Sequence, residues 1–273
     1  MREKEHSTKR AKFIRKSTAS VMEALRSRDM LLSGVTKTID VLTKIINMST
    51  ERLEEWYAIY FPELKLEDKE KFIQAVLLLD KTHISMTELS KLVGQQKAEE
   101  VNEKAKTSLG ADIKKEDLAE CQAFASAITM LYRAKKQQEE YQQKLAKELC
   151  PNMCTVAGPE IAAKLVAHVG SLRRLAMMPS STIQVIGAEK ALFKHLKNRK
   201  IQPPKHGLLF QHASISGSPK QVRGKIARAL ANKITLAAKA DAFTHRDIGV
   251  QLQKDFESRY NEIMDAYRRE KQQ

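Results

Sequence analysis

The chain is 273 residues long, 42% apolar, 30% charged and only 5% aromatic, with a formal net charge of +15. That length admits one large domain or two of ordinary size, and a mix rich in Ala, Leu, Glu, Lys and Gln argues for long helices over sheets. No run approaches the roughly 18 to 20 apolar residues that span a bilayer, the polar N-terminus lacks the apolar core of a secretory signal, and Cys121, Cys150 and Cys154 make no disulfide framework, so an intracellular chain without a membrane is expected.

In chain order, residues 1–20 read as a basic lead-in with few apolar anchors beyond Phe13 and Ile14. Val21, Leu25, Arg28, Leu32, Val35, Ile39, Leu42 and Ile46 then recur at alternating spacings of four and three, a heptad seam with one charged intrusion at Arg28. Such a seam predicts a helix roughly 45 Å long. From about 50 to 115 the seam stops. Trp56, Tyr57, Tyr60 and Phe61 cluster just before Pro62, and shorter helical pieces follow over 69–80, 85–93 and 95–108, broken at Gly94 and Gly110. This reads as a small helical head whose aromatics form a local core. The return arm, 116–149, steps Leu118, Cys121, Ala125, Ile128, Tyr132 at the same alternation.

Two arms joined by a head predict an antiparallel coiled-coil hairpin over 21–149. The arms can pair within one chain, or the same heptads can build a dimer. Leu25, Leu32, Val35, Ile39, Leu42, Ile46, Leu118, Ile128 and Tyr132 are the candidate seam residues. CPNMCTVAGP at 150–159, with two prolines and a glycine, marks a domain boundary, and 150–273 reads as a mostly helical globular domain. The fold class is therefore all-α.

Charge is divided unevenly between these halves. Residues 1–150 carry 27 Lys and Arg against 24 Asp and Glu, whereas 151–273 carry 21 against 9. Between 151 and 240 only Glu160 and Glu189 oppose 15 cations, the footprint of a polyanion binder. Catalytic parts are missing from the pattern. Cys150 and Cys154 lack the two further ligands of a zinc site, GSPKQVRGK lacks phosphate-loop spacing, and no nucleophile is matched to a base. The chain reads as non-catalytic, with no metal and no cofactor.

The informative stretch is PSSTIQVIGAEKALFKHLK at 179–197. Its second half is a strong helix former, with Ala188, Ala191, Leu192 and Leu196 as the expected packed side and Phe193 as an expected core residue. Lys190, Lys194 and Lys197, at i, i+4 and i+7, share one face. Lys200 and Lys205 follow on a loop, and Arg223, Lys225 and Arg228 open the next helix. With few aromatics in this half, contact with the backbone and shape of a structured RNA is expected over base stacking. For His206, contact with a base and a structural role in the loop are both open.

GAEKALFKHL, together with PPKHG at 203–207, RGKIARALANK at 223–233 and RLEEWYAIYFPEL at 52–64, closely resembles the Nop-domain family, core proteins of box C/D guide-RNA particles and a spliceosomal relative. The likeness covers most of the chain and is nearest to the archaeal members. It implies a scaffold for guided 2′-O-methylation of ribosomal RNA that grips a kink-turn RNA jointly with a kink-turn-binding protein. Carried over by motif, Gly187, Ala188, Glu189, Lys190, Lys194 and His195 would lie at that junction. Gln184, Lys205 and His206 would flank it, with Arg223, Lys225 and Arg228 adding contacts. Family members commonly have Arg where this chain has Lys194, which keeps the charge and loses bidentate geometry.

The implied partners are box C/D guide RNA, the kink-turn-binding protein, a second copy of the chain, and fibrillarin in the full complex. Fibrillarin binds an N-terminal domain that this sequence is expected to begin after. The implied location is cytoplasmic for an archaeal source and nucleolar for a eukaryotic one. The alternatives are a spliceosomal scaffold of the same family, or a helical protein-interaction scaffold with a generic basic surface.

Overall fold

The structure is a computed structural model that describes residues 10–18, 22 and 28–272. Val21, Leu25 and most of the lead-in lie outside the described residues; 10–18 are helical. The protein is all-α: among the described residues the only β-type pairing is one isolated bridge, Asp80 to His83. No helix among them is long and apolar enough to cross a membrane. Two long helices organise the chain, α1 (Arg28–Tyr57) and α5 (Lys115–Leu149). Contacts divide it into two compact units: Thr38–Glu139, and the chain up to Lys37 taken together with everything from Glu140 onward.

In the first unit, α1 stops ahead of Pro62, which cannot continue a helix. α2 (Lys69–Leu78), α3 (Met86–Val93) and α4 (Gln95–Lys106) form the head. Asp68 starts α2 as N-cap, accepting from the Glu70 and Lys71 amides at 2.9 and 3.2 Å. Tyr57, Tyr60, Phe61, Phe72 and Ile73 are buried together with Ile128 of α5, so the clustered aromatics do form a local core; each such burial contributes about 1.5–3 kcal/mol. Trp56 is the exception, exposed and tilted against Phe124 at 6.4 Å. The phenol of Tyr60 donates to Asp80 at 2.6 Å, so its polar tip is satisfied.

Of the expected seam residues, Leu32, Ile39, Ile46, Leu118 and Ile128 are buried. Ile46 of α1 shares a core with Leu118, Cys121, Ala125 and Ile128 of α5. In the second unit Leu32 shares one with Leu145, and Gln142 donates to Thr36 at 2.8 Å within it. The Arg28 intrusion is answered by Glu148. Arg28 pairs with Glu148 and Thr36 with Gln142, so within the second unit the two helices run antiparallel. Val35, Leu42 and Tyr132 are only half-buried, at the edges of the seam.

The second unit continues through α6 (Pro151–Ala157), α7 (Pro159–Val169), α8 (Leu172–Ala176), α9 (Ser180–Val185), α10 (Glu189–Lys197), a 3-10 turn (Leu208–Gln211), α11 (Ala213–Ser216), α12 (Arg223–Lys239), a π-helical turn (Ala240–Thr244) and α13 (Gly249–Gln272). Pro151 takes the first turn of α6, where its missing N–H costs nothing, while Cys150 and Met153 are fully buried. Residues 151–157 of that break are themselves helical and pack into the core of the second unit. α12 is its centre, burying Ile226, Ala227, Leu230, Ala231, Ile234, Ala237 and Ala238. A clasp joins α6 to the π-helical turn after α12: Asp241 accepts from the Asn152 and Met153 amides at 3.1 and 3.0 Å and from Asn152 Nδ2 at 2.6 Å. Asn152 Oδ1 in turn accepts the Ile248 amide at 2.7 Å.

Candidate nucleic-acid interface

The interface begins where α9 leaves the core. Ile183 and Ile186 are buried, and the chain then turns at Gly187 with φ +85, a region that disfavours any side chain. Space forbids one as well, since a Cβ there would meet Leu208 Cγ at 2.8 Å. Glu189 holds the turn: its Oε1 accepts the Gly187 amide at 2.7 Å and pairs with His168 Nε2 at 2.8 Å. Burial pushes this carboxyl up, but backbone amides and His168 outweigh it and keep the pKa below the usual range, so Glu189 stays ionised.

The helix launched from this turn, α10, buries none of its side chains. Lys190, Lys194 and Lys197 are exposed as their spacing requires. The expected packed side is not packed: Ala191 and Leu196 are exposed, Leu196 by 51%, and only Ala188 and Leu192 are half-buried. Phe193, expected in the core, is 61% exposed, and Ile201 beyond the helix is 43% exposed. The physical reason is that α10 is held only near its ends. Glu189 ties the start, and His195 Nδ1 donates to the Ile201 carbonyl near the end.

The PPKHG loop is stitched to α9 by three hydrogen bonds. Gln184 Nε2 donates to the Lys205 carbonyl at 2.7 Å, the Gly207 amide to the Gln184 carbonyl at 3.0 Å, and the Leu208 amide to the Ile186 carbonyl at 2.7 Å. Gly207 is obligatory, because a Cβ there would sit 1.9 Å from Ile186 O. Gln184 is itself buried, so the structure places it as a support for the loop. Beside the loop runs a groove of about 300 Å³ lined by Pro204, Lys205, Gly224, Lys225 and Arg228, with Gln184 among its walls. No carboxylate lines it.

A stack closes the far side of the loop. The His206 ring lies over Phe210 at 4.7 Å and 16°, and the Arg223 guanidinium lies 5.3 Å from the same ring. Arg223 also donates to the Ser218 carbonyl at 2.8 Å and the Ser216 carbonyl at 3.0 Å, which fixes it in place. Burial, then the Arg223 and Lys205 charges, push the His206 pKa below its ordinary value. At neutral pH its imidazole is uncharged and offers one donor and one acceptor.

The structure therefore sorts the candidates into three groups. Lys190, Lys194, Lys205, Lys225 and Arg228 are exposed cations, the last three around one groove. Gln184, Gly187, Glu189, His195 and Arg223 are engaged in holding the backbone. Ala188 at the start of α10 and His206, stacked on Phe210, are half-buried. His168 and Phe210 were not singled out by the sequence: His168 acts through Glu189, twenty-one positions on, and Phe210 through ring contacts with His206 and Arg223 that the fold brings about. The exposure of Phe193 had a faint signal: at about 100° per residue it falls some 40° from Lys197 and well away from Ala188. Among the described residues no group of three or more His, Cys, Asp or Glu is placed to hold a metal ion.

The family model Nop, described as "snoRNA binding domain, fibrillarin", matches residues 38–262. The chain is similar to an uncharacterised NOP5 family protein of Methanocaldococcus jannaschii, at 39% identity over 89% of this chain and 59% of that one. It is also similar to nucleolar protein 56 of Caenorhabditis elegans, at 34% identity over 77% of this chain and 45% of that one. Nucleolar protein 58 of Scheffersomyces stipitis matches at 34% over 86% and 47%. The chain thus spans about half the length of the curated relatives it matches. Among solved structures it is similar to a chain of a fibrillarin/Nop5p complex, with TM-score 0.55, 25% identity, and coverage of 93% of this chain and 78% of that one.

Proposed function

This chain belongs to the Nop family, and from that premise we propose that it is the RNA-binding scaffold of a box C/D guide ribonucleoprotein directing 2′-O-methylation of ribosomal RNA. In this reading it is not the enzyme: fibrillarin, present in the complex of the crystallised relative, supplies the methyl transfer, and this chain supplies position. It grips a kink-turn RNA jointly with the kink-turn-binding protein already seated on that RNA.

One observation carries the reading. α10 buries no side chain, yet it is a well-formed helix held at both ends that presents three lysines beside an uncovered Phe193 and Leu196. Cations alone suit phosphate, and an apolar patch alone suits protein; a helix offering both suits a junction of the two. Lys190, Lys194 and Lys197 meet phosphates, Phe193 and Leu196 meet the seated protein, and Lys205, Lys225 and Arg228 continue along the RNA backbone. His206, uncharged and held flat by Phe210, meets a base.

The test is a gel shift on a kink-turn RNA, with and without its kink-turn-binding protein, comparing wild type with Lys190→Ala/Lys194→Ala and with Phe193→Ser. A supershift requiring both components, lost in each variant, supports joint recognition. Equal binding to any RNA, unaffected by the variants, reduces this half to a generic basic surface.

Self-association, implied by the same family resemblance, needs a different surface from the heptad seam, because Leu32, Ile39 and Ile46 are already buried within the chain. Val41, Ile45 and Met48 form a second stripe on α1 at i, i+4 and i+7, and Val41 and Met48 are 51% and 70% exposed. This stripe is the surface proposed to meet a second copy.

A further inference from the structure

A second groove lies between α12 and α13, about 250 Å³ in volume, lined by Lys225, Arg228, Asn232, Lys233 and Arg259 over an apolar floor that includes Ile263. Its lining holds four cations and no carboxylate, which separates it from an ordinary solvated helix face where the signs alternate. The groove shares Lys225 and Arg228 with the one beside the PPKHG loop. The two grooves are therefore consecutive stretches of one track.

The track has a defined direction. Lys225, Arg228 and Asn232 stand at i, i+3 and i+7 on α12, one exposed face that rises about 10 Å. Arg259 reaches the same groove from α13. Two acids stand near these cations. Asp255 binds Lys233 at 2.8 Å and so fixes one wall, while Glu262 pairs with Arg259 at 2.5 Å. Both members of the latter pair are well exposed, so it is a weak contact that an incoming phosphate can replace.

From this geometry we infer that the α12–α13 groove binds the sugar–phosphate backbone of RNA continuing beyond the kink-turn, through Arg228, Asn232 and Arg259. The inference rests on the function proposed above and extends its site. The groove's two arginines, Arg228 and Arg259, can neutralise about two phosphates of one strand. Arg supplies charge and paired donors, and the Asn232 amide adds a neutral donor to phosphate oxygen. Nothing in the lining is arranged to read bases, so the contact is independent of sequence and acts by fixing how the RNA leaves the junction.

The experiment compares two RNAs carrying the same kink-turn, one with minimal flanking stems and one with either stem lengthened by a helical turn. Both are bound to the kink-turn-binding protein and titrated with wild type and with Arg259→Gln/Asn232→Ala across a salt series. Wild type is expected to bind the longer RNA several-fold more tightly. Its log K against log salt slope should steepen by about 1–2, at ~0.9 per phosphate. The variant should bind the short RNA as wild type does and lose the increment on the long one. An increment that persists in the variant, or that wild type never shows, overturns the inference and leaves the proposed function standing. Wild type that binds neither RNA overturns the proposed function and this inference with it.

Discussion

Helices α10 and α12 both mix alanine and leucine with basic residues, and the chain treats them in opposite ways. α12 buries seven of its alanine, isoleucine and leucine side chains at the centre of a core, and its cations project from one side. α10 buries nothing. A helix nine residues long is too short to be stable through its own hydrogen bonds, and here it is maintained by a bound glutamate at its start and a histidine near its end. Composition sets helicity in both; only the presence of a neighbour decides whether an apolar stripe becomes core or a surface for a partner.

Paired truncations draw that contrast most sharply. Leu230→Ala in α12 should cost about 2–5 kcal/mol in urea unfolding, from lost burial and the cavity left behind. Leu196→Ala in α10 should stay within about 0.5 kcal/mol. Similar losses in both would mean that α10 belongs to the core after all.

Charge removal gives the next largest effect. Lys190→Ala/Lys194→Ala should leave the melting curve unchanged and weaken the RNA–protein complex about tenfold or more. The salt slope should fall by about 2, reflecting two phosphate contacts. An unchanged slope would show that these lysines face solvent in the complex.

A smaller effect separates contact from support. Gln184→Ala removes a buried donor to the Lys205 carbonyl, at a cost of about 1 kcal/mol in stability. Because the whole loop slackens, RNA affinity should fall while the salt slope keeps its wild-type value. If the slope falls as well, Gln184 marks a phosphate contact.

The smallest effect is with pH. His206 and His212 have folded-state pKa values lowered, His206 first by burial and then by Arg223 and Lys205, His212 by burial. The unfolded chain therefore binds more protons, and stability rises with pH through the window from the lowered folded values up to about 6.5. Below that window the contribution is lost. Melting temperatures across this range should flatten in His206→Gln, and a profile identical to wild type would remove His206 from the account.

Much of this was legible in the residues. The three-four alternation identified Leu32, Ile39 and Ile46 as one buried line, because that spacing keeps a seam on one side of a helix. The scarcity of acids in 151–240 located the basic grooves. The sequence was silent where the outcome depended on a distant element. A periodic pattern says which face of α10 is apolar and cannot say that nothing covers it. Gln184 is a polar residue in a family motif, and only the approach of the Lys205 carbonyl turns it into a support. Arg228 and Arg259 are thirty-one positions apart, and their shared groove exists only once α12 and α13 are packed.

The clasp between Asn152 and Asp241 has a consequence in time. It closes a loop of 89 residues, an entropic cost of about 4 kcal/mol by (3/2)RT ln n, and every interface residue from Gln184 to Arg228 lies within that loop. During synthesis the chain emerges N-terminus first, and the clasp cannot shut until residue 241 has left the ribosome. The long-helix unit of Thr38–Glu139 is complete well before then. A nascent chain therefore completes its head before the clasp that encloses Gln184 to Arg228 can close.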